Sequence, residues 1–300
     1  MPIRTARPLA IAGTLGLAVA LVGCSSAADS EGAALGSAEN PVQLGVVGAA
    51  EEYWATYEEA VEAEGIQLEI VDFTDYNQPN PALSEGELDI NQFQHIIYLA
   101  NYNVQSGDDL QPVGSTAIYP IGLYSDKYAS AEEIPDGEEV IVPNDDTNQA
   151  RGLLVLQSAG LISLVDGGSP YSTVDDVIAE ESRVTVRAVD AALTATSLPD
   201  VAAAIVNNDF IEDAGLDPES AIAQDDPNDP AAAPYINIFA TTAENVDDEV
   251  LNRLVEIYQS NEEVQAGALA ASGGTGLFTV TPKADLQTAL ADVQAELEAQ

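Results

Sequence analysis

His95, the only histidine of the 300-residue chain, lies in a short aromatic stretch that could line a binding site. Phe93 precedes it and Tyr98 follows it, so three flat rings come together where a strand-like run ends and a helix-like pattern begins. In open α/β sheets, ligands bind in the crevice at the carboxyl ends of the strands. The stretch therefore predicts a ligand pocket. A histidine packed among the aromatic rings of a core would give the same pattern.

The charge balance restricts the partners that the chain can have. It carries 8 Lys and Arg against 51 Asp and Glu, a net charge of −43 at pH 7. Nucleic acid is excluded as a partner, because phosphate binding needs clustered basic residues. Self-repulsion at this charge should weaken the compact state at low ionic strength. We interpret the protein as salt-adapted or acid-surfaced and extracytoplasmic; the alternative is that the acidic surface only provides solubility.

The first 24 residues have the order of a lipoprotein leader. Arg4 and Arg7 precede an apolar run over residues 9–22, which is short for a membrane span. Leu21-Val22-Gly23-Cys24 then resembles a lipobox, which implies cleavage before Cys24 and a lipid on its sulfur. We predict a signal peptide over 1–23, a lipidated flexible tether over 24–40, and anchorage to the extracytoplasmic face of the cell membrane. A plain signal peptide with an incidental cysteine is the alternative.

The remaining chain alternates strand-like and helix-like segments, which predicts an α/β fold. The first strand–helix–strand unit, over residues 42–73, favours a parallel sheet. Two segments are interpreted as crossings between lobes, one containing Pro120 and the other starting at Ile236. We expect one lobe over 41–118 plus 236–300 and a second over 119–235. Two lobes joined by two crossings form a cleft suited to a small solute.

A set of motifs spread in order over residues 42–237 then resembles one family. The motifs are Phe73-Thr74-Asp75-Tyr76, Asn80-Pro81-Ala82-Leu83, Gly86-Glu87-Leu88-Asp89-Ile90-Asn91-Gln92-Phe93-Gln94-His95 with Tyr98-Leu99, Tyr119-Pro120-Ile121, Val142-Pro143-Asn144-Asp145 with Thr147-Asn148 and Arg151, and Pro234-Tyr235-Ile236-Asn237. Together they resemble the NlpA/MetQ family of methionine-binding lipoproteins.

The resemblance implies a type II periplasmic-binding fold. We also expect a monomer without a cofactor or a metal. It implies that methionine passes to an ABC permease with its ATPase. It also implies seven ligand-binding residues: Tyr76, Phe93, His95 and Tyr98 around the methionine side chain, Arg151 on the carboxylate, and Asn207 and Asn237 at the backbone end.

The chemistry of these residue types suits a free amino acid. The planar guanidinium of Arg151 can make two charge-assisted hydrogen bonds to a carboxylate. We expect it in the first turn of a helix that begins near Asn148, where helix amides would add positive potential. Asparagines can accept from an ammonium without adding charge. Aromatic rings favour a thioether by about 0.3–1.5 kcal/mol per contact.

Three alternatives remain at this point. An enzyme would need a nucleophile with an oriented base, and His95 is the only imidazole. A metal receptor would have to use acidic loops such as Asp145-Asp146 or Asp225-Asp226. A receptor of the same class could instead bind another amino acid or a methionine-containing dipeptide.

Overall fold

The structure, a computed structural model, describes residues 33–212 and 214–299. The predicted leader and Cys24 lie outside the described residues. Within the described ranges, no helix is both long enough and apolar enough to cross a membrane.

The described strands, in chain order, are β1 Val42–Val47, β2 Leu68–Phe73, β3 Ile90–His95, β4 Leu110–Ser115, β5 Ala117–Ile118, β6 Gly122–Tyr124, β7 Glu139–Pro143, β8 Thr185–Val189, β9 Ala203–Val206, β10 Ala223–Gln224, β11 Asn237–Thr242 and β12 Leu277–Phe278.

The α-helices of the same ranges are α1 Glu52–Ala63, α2 Pro79–Ser84, α3 Ile96–Ser106, α4 Asp146–Ser158, α5 Ala191–Thr194, α6 Glu249–Ser260, α7 Glu262–Ala271 and α8 Lys283–Glu298. Short 3₁₀ turns occupy Ala131–Glu133, Val165–Gly167, Val174–Asp176, Ala179–Glu181, Ala195–Ser197, Asn208–Phe210, Pro218–Ser220 and Pro230–Tyr235.

These strands form two five-stranded sheets, which confirms the predicted α/β class. The first sheet has the order β2-β1-β3-β11-β4, and the second β10-β6-β9-β7-β8. In the first, β1 runs parallel to β2 and β3, whereas β11 is antiparallel to β3 and β4. The chain leaves the first sheet after β4 and returns to it through β11. The small β12–β5 pair was not predicted.

Helices cover both faces of the first sheet, and its inner strand β11 carries apolar side chains on both faces. Phe239 of β11 packs into a cluster with residues of α1, α6 and α7. Its neighbours Ile238 and Ala240 pack into a second cluster with α2, α3 and α8. This alternation is the two-residue side-chain period of a strand. Packing on both faces holds β11 in place, and β11 is hydrogen-bonded to β3. The position where β3 ends is therefore fixed as well.

One apolar cluster joins the two sheets. Val47 and Phe93, at the carboxyl ends of β1 and β3, pack in the same cluster as Ile141 and Val206 of the second sheet. The carboxyl ends of strands from both sheets therefore meet at one junction. Ligand sites in α/β sheets lie at such strand ends.

The segment predicted as a tether is folded in the part that the structure describes. Gly36 N–H donates to the Asn40 carbonyl at 2.8 Å, and Gln67 N–H donates to the Gly36 carbonyl at 2.7 Å. Leu35 packs against the first core cluster. The small residues that suggested a flexible coil instead form a tight turn beside β2, so a tether can extend only through residues preceding it.

Candidate ligand-binding cleft

The seven predicted site residues lie together in one cleft between the sheets. Its lining consists of Tyr76, Phe93, Gln94, His95, Tyr98, Asn148, Arg151, Asn207, Asn208 and Asn237. The cleft leaves about 20 Å³ for the centre of a water-sized sphere, which is room for about one or two water molecules. Its own side chains therefore nearly fill it.

His95 ends β3 and caps α3. Its backbone is extended (φ −101°, ψ 167°), and its Nδ1 accepts a hydrogen bond from Tyr98 N–H at 3.2 Å. With Nδ1 an acceptor, Nε2 carries the proton and donates to Asn148 Oδ1 at 3.3 Å. Burial, and secondarily the charge of Arg151, lowers the His95 pKa to about 3. The imidazole is therefore a neutral donor at physiological pH and cannot provide a cation.

Aromatic rings form one wall of the cleft. The Tyr76 ring lies 5.9 Å from Phe93 and 5.0 Å from Phe210, and Phe93 lies 5.7 Å from Tyr98. Tyr98 Oη donates to the Tyr76 carbonyl at 3.0 Å, which fixes the edge of the wall. These are edge and tilted contacts that aromatic pairs prefer. The wall offers ring edges of the kind that polarisable sulfur contacts.

The guanidinium of Arg151 is buried in the lining of the cleft, with 4% of the residue exposed. Nε donates to Asp225 Oδ2 at 2.7 Å, and one Nη2 hydrogen donates to the Tyr119 carbonyl at 2.7 Å. Its carbon lies 4.2 Å above the centre of the Tyr235 ring. Nη1 has no acceptor among the described residues. One edge of the guanidinium is thus anchored while Nη1 keeps its donors.

Arg151 lies in the second turn of its helix, so the first-turn prediction was wrong. Asp145 caps α4 by accepting from the Asn148 N–H at 2.9 Å, and the helix therefore begins at Asp146. Arg151 is consequently its sixth residue. The amides of the helix terminus are too distant to act beside the guanidinium, and its own charge must provide the potential.

Asparagines from both sheets meet beside His95. Asn207 Nδ2 donates to Asn148 Oδ1 at 2.9 Å, whereas the buried Asn207 Oδ1 has no hydrogen-bond partner among the described residues. Asn237 follows at the start of β11, where its Nδ2 makes only a long contact of 3.5 Å to the Tyr235 carbonyl. A buried acceptor without a donor is costly. The arrangement therefore suits a ligand that brings hydrogen-bond donors.

A buried amide network supports β3 from behind. Asn80 and Gln94 exchange two hydrogen bonds through their side chains, at 2.8 and 2.6 Å. Gln94 Nε2 also reaches Asn91 Oδ1 at 2.9 Å. Fully paired buried amides hold a strand in one register. The hydrogen bonds therefore join the motif that contains Asn80 to the motif that contains Gln94.

Two buried carboxyl groups near the cleft have raised pKa values. Burial raises the pKa of Asp209 to about 7, and the hydrogen bonds from Tyr76 and Asn208 only partly offset this. Tyr76 Oη donates to Asp209 Oδ2 at 2.8 Å, joining the loop after β2 to the turn after β9. Burial likewise raises the Asp145 pKa to about 6. Both groups change charge near neutral pH.

Residues 42–275 match the sequence profile of the NlpA lipoprotein family. The chain belongs to this family.

Relatives of this NlpA-family chain bear names that refer to methionine. The D-methionine-binding lipoprotein MetQ of Escherichia coli (strain K12) is 36% identical over 273 residues, 89% of this chain and 96% of the relative. A nutrient-binding protein from Burkholderia cenocepacia, solved bound to methionine, is 34% identical with a TM-score of 0.73 over 79% of this chain and 99% of the other. A solved methionine-binding protein, MetQ, is 35% identical with a TM-score of 0.75, over 80% and 98%. The predicted family and fold are confirmed.

Sequence reasoning missed several residues of the cleft of this NlpA-family chain. Asn148 lay in a quoted motif but received no role. Asp209 and Phe210, which adjoin the cleft, carried no signal that separates them from the many other acids and apolar residues, and Asp225 was noted only as part of an acidic loop. Among the described residues, no group of three or more His, Cys, Asp or Glu could hold a metal ion.

Proposed function

We propose that this NlpA-family lipoprotein is an extracytoplasmic, lipid-anchored receptor that binds L-methionine and delivers it to an ABC importer. One observation carries the proposal: a single buried cleft holds a guanidinium donor, an unpaired asparagine acceptor and an aromatic wall. These match the carboxylate, the ammonium and the thioether side chain of methionine. The methionine in the names of the relatives supports the same ligand.

In this proposal, Nη1 of Arg151 binds the carboxylate, and Asn207 with Asn237 binds the ammonium. The side chain lies against Tyr76, Phe93 and Tyr98. His95 donates through Nε2 or packs against the thioether, and remains neutral. Because the cleft has room for about one or two waters, we expect the two sheets to separate slightly as methionine enters. No residue of this set acts as a nucleophile, so we propose a receptor and not an enzyme.

A second candidate ligand is a methionine-containing dipeptide. A recess lined by Glu51, Tyr53 and Asp209 adjoins the cleft and shares Phe93 and Asn237 with it. Its acidic side chains would suit the ammonium of a residue attached to the methionine nitrogen. Another amino acid of similar size remains the third possibility for the same cleft.

Calorimetric titration of the full chain tests the choice of ligand. The panel is L-methionine, D-methionine, a methionine-containing dipeptide and L-leucine. We expect L-methionine to bind with micromolar or tighter affinity, about −8 kcal/mol or better, and L-leucine to bind much more weakly. A preference for the dipeptide would select the second candidate, and absence of binding by every amino acid would refute the proposal.

The lipid anchor and the partners form the second part of the proposal. Cys24 would carry the lipid, and the receptor would act as a monomer with a permease and its ATPase. Labelling cells with an alkyne fatty acid should mark the wild-type protein and leave Cys24→Ala unlabelled. Label on the variant would contradict the assignment of Cys24.

A further inference from the structure

Asp225 is the carboxylate that holds the guanidinium of Arg151, although no motif assigned it a role. It follows β10 directly, and its two oxygens serve two different donors. Oδ2 accepts from Arg151 Nε at 2.7 Å, and Oδ1 accepts from the Ile121 N–H at 2.8 Å. The side chain of Asp225 is 22% exposed, against 5% for Arg151. The carboxylate thus links the buried guanidinium to the backbone of the first crossing.

The guanidinium has little freedom to turn in this arrangement. Asp225 occupies Nε, the Tyr119 carbonyl occupies one hydrogen of Nη2, and the Tyr235 ring covers one face. Two of these three contacts come from the segments that connect the two sheets: the Tyr119 carbonyl before β6 and the Tyr235 ring before β11. The two hydrogens of Nη1 and the second hydrogen of Nη2 are left for a ligand.

We infer that Asp225 is a positioning residue that orients Arg151 so that its Nη end, rather than its Nε edge, receives the carboxylate of the ligand. The inference rests on the proposed function and deepens it. Without this partner, the Arg151 side chain could change rotamer. Each binding event would then have to orient its donors towards the carboxylate again. Anchored by Asp225, it needs no reorganisation when the carboxylate arrives.

An aspartate suits this position better than an asparagine would. Both donors, Arg151 Nε–H and Ile121 N–H, require an acceptor, and a carboxylate offers two acceptor oxygens. Asparagine would point its NH₂ group at one of the two donors. Asp225→Asn therefore breaks one hydrogen bond while it preserves size. Asp226→Asn is the matched control, because it removes the same charge at an exposed residue. The side chain of Asp226 accepts hydrogen bonds from Asn228 alone among the described residues.

The first test compares two probes that differ only at the carboxylate, L-methionine and L-methioninamide, by calorimetry. We expect Asp225→Asn to weaken L-methionine binding about tenfold or more and L-methioninamide binding less than about twofold. Asp226→Asn should leave both affinities within about twofold of wild type. Equal weakening of both probes by Asp225→Asn, or no weakening, would overturn the positioning role.

The second test needs no ligand. In a ¹H–¹⁵N spectrum, the Nε–H signal of Arg151, assigned from its absence in Arg151→Lys, should be sharp in wild type and Asp226→Asn. It should broaden or vanish in Asp225→Asn, and persistence of a sharp signal there would refute the inference. A wild-type protein that binds no L-methionine would refute the proposed function, and this spectrum would still decide whether Asp225 positions Arg151.

Discussion

At the scale of the residue, His95 combines a structural contact with a place in the cleft. Nδ1 accepts from the Tyr98 N–H and closes the first turn of α3, while Nε2 donates to Asn148 Oδ1. The centres of the His95 and Tyr235 rings lie 5.4 Å apart. Replacement by alanine removes both functions at once. Replacement by asparagine restores a good helix cap but not the ring.

His95→Ala should therefore lower the free energy of unfolding by about 0.5–2 kcal/mol, and His95→Asn should recover most of that loss. Both should weaken L-methionine binding, because both remove the imidazole from the cleft. Urea unfolding and calorimetry measure the two effects separately. Wild-type affinity in His95→Asn would show that the ring contributes only through the cap.

Six of the seven proposed ligand residues lie in the quoted motifs, and Asn207 followed only from the family resemblance. The structure places all seven in one cleft. Their supporting carboxylates could not be predicted. Asp225 lies 74 positions from Arg151 and Asp209 lies 133 positions from Tyr76. With 51 acidic residues in the chain, no local pattern separates these two from the rest.

At the scale of the element, the sequence predicted which segments form strands and helices better than where they begin. The polar turn before helix α4 contains several possible N-caps. The structure uses Asp145, so α4 begins earlier than expected and Arg151 lies in its second turn rather than its first. The sequence over residues 174–179 predicts one short helix, whereas the structure has two separate 3₁₀ turns, Val174–Asp176 and Ala179–Glu181. Such boundaries depend on side-chain contacts that propensity does not encode.

The contact between Tyr76 and Asp209 joins elements of the two sheets and should depend on pH. The Asp209 pKa rises from 3.8 to about 7 on folding because of burial. The folded state therefore binds this proton more tightly than the unfolded state, and the contribution of Asp209 to stability falls as pH rises from about 4 to about 7.

Asp209→Asn should remove this contribution while it keeps an acceptor for Tyr76. The variant should match wild type near pH 4 and exceed its free energy of unfolding at pH 8 by on the order of 1–3 kcal/mol. Urea unfolding at the two pH values measures the difference. A constant difference across the pH range would show that Asp209 does not titrate there.

At the scale of the whole molecule, the acidic charge exceeds what the basic residues can pair. Within the described residues, Arg151, Arg183, Arg187, Arg253 and Lys283 each pair with at least one carboxylate. The net charge of −43 leaves most carboxylates without a cation. Their mutual repulsion is screened as the Debye length shortens from about 10 Å at 0.1 M to about 3 Å at 1 M salt.

The melting temperature should therefore rise by more than about 5 °C between low and molar sodium chloride, as a few kcal/mol of repulsion is screened. Sucrose at matched osmolality is the control for general solvent exclusion. A melting temperature that does not change with salt would contradict the interpretation of a salt-adapted surface.

Mass spectrometry of the small molecule that co-purifies with the protein tests the central claim most directly. We predict methionine in near-equimolar amount on the wild-type protein and little or none on Arg151→Ala, because the variant loses the guanidinium that binds the carboxylate. A different class of molecule on the wild type, or methionine retained in full by Arg151→Ala, would contradict it.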